Sequence, residues 1–287
     1  EEVTTHEYAH QYFYGILAIN EAEEPWLDEG FTCYATLKIM NQTFGKSASL
    51  SELFNIQISQ VDEYKHSYLE RPALDIVWKS SWDFGPRAYG VNTYSKPALI
   101  LQTLENFLGQ AKMDTVMQIY YRKWKFRHPR TGDFLALVDS IAEQDLGWYF
   151  DQALRSTKIL DYAVDSLSSE QKVTIDSSNG EVTTGYHSQV VIKRLGDFIF
   201  PVEIACAFDN GDTLMEYWDG ADTVHVLNYY SKKRLSRAQI DPKHKVLLDL
   251  NWSNNSMLLR KNYSATIRHW LQTMKIYQQA LLGVIFF

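Results

Sequence analysis

The stretch HEYAH near the start of the chain, running from His6 through Glu7 to His10, constrains this sequence more than any other. Residues four apart lie one above the other on a single face of an α-helix. His6 and His10 can therefore converge on one metal ion at distances of about 2.0–2.1 Å. Glu7 is rotated from His6 by about 100°. It cannot easily join the same ligand set, but it can reach a water held by that ion. The motif specifies only three identities, so a solvated helix face with two unrelated histidines is the competing reading at this point.

A third ligand separates the two readings, because a catalytic zinc takes three protein groups and leaves one position open. One zinc-protease pattern draws that ligand from a third histidine soon after the second. Here Phe13 and Ile16 stand where that pattern has its glycine and its histidine. Further on, EEPWLDEGFTCYATLKIM carries Glu29 in a second helical pattern preceded by Pro25. Eighteen residues separate His10 from Glu29, enough to finish one helix, turn and begin an antiparallel second. Glu29 would then face both histidines. Its bland alternative is a first-turn glutamate favoured by the helix dipole.

HEYAHQYFYG followed by WLDEGFTCY resembles the aminopeptidase N and leukotriene hydrolase family of gluzincin metallopeptidases, in which H-E-x-x-H precedes a glutamate inside W-L-x-E-G-F. Spacing, third ligand and the flanking Trp26, Leu27, Gly30 and Phe31 all agree. The resemblance implies zinc ligands at His6, His10 and Glu29, with Glu7 as general base. It also implies a catalytic tyrosine, which falls on Tyr94 in TYSKPALI, sixty-five residues after Glu29. Pro97 replaces the family's glycine there, a change that the first turn of a helix tolerates. Tyr89 competes with Tyr94 but lacks a lysine two residues on. A second departure is Thr36, where the family often has an acidic residue. Cys33, one turn beyond Glu29, reads as a small buried residue.

The chemistry of such a set can be stated on its own terms. Two neutral imidazoles and one carboxylate on Zn²⁺ lower a bound water's pKa from about 15.7 towards roughly 7. Glu7 would take the proton from the attacking water and pass it to the leaving amine. Tyr94 would donate to the oxyanion. The reading is zinc-dependent peptide-bond hydrolysis, with one zinc per chain and a peptide as substrate. The family resemblance makes an aminopeptidase the first choice. An endopeptidase or related hydrolase with the same site is one alternative, and an inactive relative that serves membrane or partner association is another. The strand by which the family grips the substrate amine lies upstream of the zinc helix. With Glu1 so close to His6, a missing N-terminal region of the same protein is expected to supply it, and the isolated chain is expected to be inactive.

The fold expected is α+β: a mainly helical, thermolysin-like catalytic part over residues 1–165, a small antiparallel β-sandwich over 166–256, and a C-terminal helical segment over 257–287. ALILQTLENFLG, MDTVMQIYYRKWKF and TGDFLALVDSIAEQDLGWYFDQAL place apolar residues at helical intervals, the last with Thr131 or Asp133 as N-cap. KVTIDS, QVVIKRLG, FIFPVEIACAF, DTVHVLNYY and KVLLDLN read as strands separated by turn-forming SSNGE, DNGDT and WDGAD. HWLQTMKIYQQALLGVIFF ends the chain. Its spacing fits an amphipathic helix docked on the protein, and the start of a membrane helix is the alternative. The net charge of −7 argues against a nucleic-acid partner, since no basic run could follow a phosphate backbone. The two cysteines, Cys33 and Cys206, imply no disulfide framework. Compartment stays open.

Overall fold

The computed structural model describes residues 1–45, 51–53, 56–175, 182–260 and 274. The chain opens with α1 (Glu2–His10), which widens into a π-helical turn over Gln11–Ile16, and then α2 (Trp26–Phe44). A small hairpin, β1 (Ser51–Leu53) with β2 (Ile56–Ile58), leads into α3 (Gln60–Glu70). A short turn α4 (Ala88–Gly90) runs through a second π-helical turn, Val91–Ser95, directly into α5 (Lys96–Leu108). Three more helices follow: α6 (Gln110–Trp124), α7 (Thr131–Ala142) and α8 (Gly147–Arg155). From Tyr162 the described chain is chiefly antiparallel strand. β3 (Tyr162–Ile175), β4 (Val182–Arg194) and β7 (Val224–Ser231) form one sheet in the order β3-β4-β7. β5 (Val202–Phe208), β6 (Thr213–Trp218), β8 (Leu235–Ile240) and β9 (Ser256–Leu258) form the other, in the order β6-β5-β8-β9. The fold is α+β.

Local sequence explains much of this. Along β5 the alternate residues Val202, Ile204, Cys206 and Phe208 are buried, the period-two signature of a strand with one face on a core. Val164, Val190 and Ile192 of the first sheet share that core with Ile204, Cys206, Trp218 and Ala238 of the second. Tyr162 meets Trp218 across it, with ring centroids 5.2 Å apart. Two expectations change. The run from Thr131 to Leu154 forms two helices, broken where Glu143 adopts a left-handed φ of 58°. KVLLDLN forms no strand: the Asp241 carboxylate takes the backbone N–H groups of Lys245 and Val246 at 2.9 and 2.7 Å. Val246, Leu247 and Leu248 are then buried in succession instead of alternating.

The helical and β parts are continuous through the core. The Tyr149 ring of α8 lies 6.1 Å from Phe198 and 5.6 Å from Phe200, and its hydroxyl donates to the Ile100 carbonyl of α5 at 2.8 Å. Among the described residues no helix is long and apolar enough to cross a membrane. The C-terminal run HWLQTMKIYQQALLGVIFF and the segment SSNGE lie outside the described residues, apart from Met274.

One contact across this junction carries a pH signature. Lys65 of α3 is buried, with its Nζ 3.0 Å from the centre of the Trp252 ring and no hydrogen-bond partner. A desolvated cation–π contact contributes about 2 kcal/mol, whereas withdrawing an ammonium from water costs several. Burial wins over the pull of Asp249, Asp241 and Asp62, and lowers the Lys65 pKa to about 7 from 10.5. Between those values the unfolded chain binds a proton that the native chain does not, so this group makes stability rise with pH. We predict that Lys65→Met flattens that rise relative to wild type between about pH 7 and 9, in urea denaturation followed by tryptophan fluorescence.

Candidate metal centre

His6, Glu7 and His10 occupy the last turns of α1, and the helix then loosens into the π-helical turn, which closes with Leu17 N–H on the Tyr12 carbonyl. α2 begins at Trp26, whose ring is fully buried and whose indole N–H donates to Thr131 Oγ1 at 2.9 Å. Both oxygens of the buried Glu24 carboxylate accept from Thr131 N–H at 3.3 Å. The first turn of α2 is thus tied to the first turn of α7. Beneath it Phe31 packs on Phe134 and Tyr120, at 4.8 and 5.7 Å between ring centroids. Trp26, Leu27 and Phe31 therefore act as packing anchors that fix where Glu29 points.

Glu29 points at the two histidines. His10 Nε2 lies 3.1 Å from His6 Nε2, and Glu29 Oε2 lies 3.3 Å from each of those nitrogens. Ligands at about 2.0–2.1 Å around a tetrahedral ion are separated by about 3.3 Å. The three atoms therefore have the spacing of three corners of a zinc site. Glu29 Oε2 is buried without a hydrogen bond. A cation would relieve that oxygen and both nitrogen lone pairs together. The residues present fit a zinc ion, and among the described residues this is the one cluster of its kind.

Tyr94 sits on the second π-helical turn and donates to Glu29 Oε1 at 2.5 Å. Each oxygen of Glu29 has its own task, one towards the imidazoles and one towards the phenol. Burial raises the Glu29 pKa, but the neighbouring His6 imidazole and the bond from Tyr94 outweigh it and hold the carboxyl below its usual range. Burial and then the bond to Glu29 push the Tyr94 phenol far above its usual value, so it stays protonated. Tyr89 stands behind it, with ring centroids 6.3 Å apart. Glu7 is exposed beside His6. Of the residues singled out by sequence, His6, His10, Glu29 and Tyr94 come together, and Glu7 lies next to them on α1.

Three other positions differ in interest. Thr36 turns its hydroxyl back onto the Thr32 carbonyl at 2.8 Å, a bond within the helix. Cys33 is buried as expected, and its Sγ also lies 3.9 Å from His6 Nδ1. Asp28 escaped the sequence reading. It is 2% exposed, and its Oδ1 lies 2.7 Å from His10 Nδ1. The signal was present: an acid adjacent to Glu29 is turned by about 100° on the helix and faces the other side of the same imidazole.

A family model described as Peptidase family M1 domain matches residues 1–152, more than half of the chain. The chain belongs to peptidase family M1. This is a family of zinc metallopeptidases. Glutamyl aminopeptidase of Rattus norvegicus is 26% identical over 200 residues, 67% of this chain and 21% of that protein. Endoplasmic reticulum aminopeptidase 2 of Homo sapiens is 26% identical over 147 residues, 50% of this chain and 15% of that protein. Mitochondrial aminopeptidase 2 of Saccharomyces cerevisiae is 25% identical over 219 residues, 73% and 21% respectively. The chain thus spans about a fifth or less of the length of these relatives. In overall fold it is similar to Legionella pneumophila aminopeptidase A, solved in complex with aspartic acid. The TM-score is 0.57 at 14% identity, over 88% of this chain and 27% of that one.

The M1 chain's departure at Pro97 has a visible consequence. A Cβ on Gly30 would lie 2.4 Å from Pro97 Cβ and 3.4 Å from the Thr93 carbonyl, so only glycine lets α2 approach the turn that carries Tyr94. Gly30→Ala should lower stability by about 1–3 kcal/mol through overpacking. Adding Pro97→Gly should restore part of that loss. Urea denaturation of the two single variants and the double variant checks this, and additive losses would show that the contact is not shared.

Proposed function

We propose that this chain carries the catalytic centre of a zinc-dependent aminopeptidase, with His6, His10 and Glu29 as metal ligands, Glu7 as general base and Tyr94 as the oxyanion donor. The observation that carries the reading is the triangle of His6 Nε2, His10 Nε2 and Glu29 Oε2, with sides of 3.1 and 3.3 Å. Zinc held there supplies a Lewis acid for the scissile carbonyl and acidifies the attacking water. Glu7, exposed one position after His6 on the same helix, accepts the proton of that water on its carboxylate and delivers it to the departing amine. The Tyr94 hydroxyl, protonated and already within the site, leaves Glu29 Oε1 and turns its hydrogen to the oxygen that gains charge. The peptide is the substrate, and the released N-terminal residue and the shortened peptide are the products.

The exopeptidase part of this reading rests on family membership and on the names of the relatives. Blocked and free peptides of one sequence separate it from endopeptidase action: hydrolysis that requires the free α-amine supports an aminopeptidase, and equal cleavage of both overturns it. In the active protein, Glu7→Gln should lower kcat by about 10²–10⁴ while zinc content stays near one per chain. Tyr94→Phe should lower kcat by about 10²–10³ with little change in KM. Steady-state kinetics beside atomic absorption checks both. Loss of zinc in Glu7→Gln would move that residue from proton carrier to ligand.

A further inference from the structure

His10 is gripped on both edges of its ring. Nε2 faces the triangle, 3.3 Å from Glu29 Oε2, while Nδ1 faces Asp28 Oδ1 at 2.7 Å and Thr32 Oγ1 at 3.3 Å. The Asp28 carboxylate is 2% exposed, in the first turn of α2. A carboxylate has no hydrogen to give, so a bond this short places the hydrogen on His10 Nδ1 and leaves the Nε2 lone pair directed at the other ligand atoms. His6 has no equivalent: its Nδ1 faces the sulfur of Cys33 at 3.9 Å, a weak partner in either direction. The two imidazoles are thus held unequally, one by a buried carboxylate and one by a thiol.

We propose that Asp28 is a positioning residue of the metal centre, setting the tautomer and orientation of His10 and strengthening its Nε2 as a ligand. The proposal rests on the zinc reading of the site. Consecutive residues of one helical turn then do two jobs. Glu29 faces the ion, and Asp28, turned by about 100°, stands behind the histidine that shares it. The positive end of the α2 dipole lies under both carboxylates and eases their proximity. An asparagine at position 28 could accept the same hydrogen through its amide oxygen, but would bring no negative charge to the ring. Charge and hydrogen bond can therefore be separated by substitution.

The test is zinc affinity of the folded protein, measured by competition with a chromogenic chelator, for wild type, Asp28→Asn, Asp28→Ala and the buried α2 control Thr36→Val. Asp28→Ala is expected to lose ten- to a hundredfold in affinity, the usual effect of removing such a partner. Asp28→Asn should lose less, with the His10 Nδ1 hydrogen still present in ¹⁵N-histidine NMR, and Thr36→Val should lose none. Melting temperatures of the metal-free proteins are read alongside. A lowered melting temperature with unchanged zinc affinity in both Asp28 variants would make the residue purely structural and overturn the proposal. Should Asp28→Ala fail to fold, the near-isosteric Asp28→Asn decides alone, and wild-type affinity in it overturns the charge argument. If wild type itself takes up no zinc, the centre and this role fall together; if wild type binds zinc and both variants match it, only the role of Asp28 fails.

Discussion

Three electron-rich atoms held within 3.1–3.3 Å of one another, without a hydrogen bond to satisfy the carboxylate oxygen among them, are costly for a protein to maintain. Unpaired buried polar atoms are destabilising unless something occupies the space between them. The surroundings show how the chain sustains the arrangement. The indole of Trp26 and the carboxylate of Glu24 both bind Thr131, locking the start of α2 to the start of α7. The packed rings of Phe31, Tyr120 and Phe134 support it from below. Gly30 lets Pro97 press directly against α2, which brings Tyr94 within bonding distance of Glu29. Preorganisation of this kind is what a metal site on two helices requires.

The electrostatics around the centre are layered. Glu29 and Asp28 bring two carboxylates to adjacent helix positions, yet they differ in environment. Burial raises Asp28 to about 6, with His10 drawing it down, while the neighbouring imidazoles and the phenol bond hold Glu29 low in spite of burial. Tyr94 is driven the other way and keeps its proton. The proposed roles, an anionic ligand and a neutral donor within a few ångströms of a cation, need such divergent settings. They arise from which side chain faces which, since Asp28 and Glu29 are chemically alike.

Much of the candidate site was legible because its logic is local. The four-residue spacing of His6 and His10 makes them neighbours on any helix, and the Trp26, Leu27, Gly30 and Phe31 frame around Glu29 carries a recognisable pattern. Tyr94 was legible only through its register and its Lys96, and Asp28 was read past because its purpose depends on the ring of a residue eighteen positions away. The fold was legible as helices followed by strands, and β5 announced itself by alternation. KVLLDLN misled because its apolar run serves three consecutive buried positions while Asp241 takes the backbone donors that a sheet would have used.

The sequence by itself determined the candidate ligand types, their helical phase and the α-then-β order, because those depend on side-chain chemistry and on periods of a few residues. Only the tertiary structure decided that Glu29 Oε2 closes on both imidazoles, that Tyr94 and not Tyr89 reaches Glu29 Oε1, and that His10 leans on Asp28 while His6 leans on Cys33. Those outcomes depend on how closely α1, α2 and the turn before α5 approach. That distance is set by packing around Trp26, Gly30 and Pro97, contacts between residues far apart in the chain that no local pattern encodes.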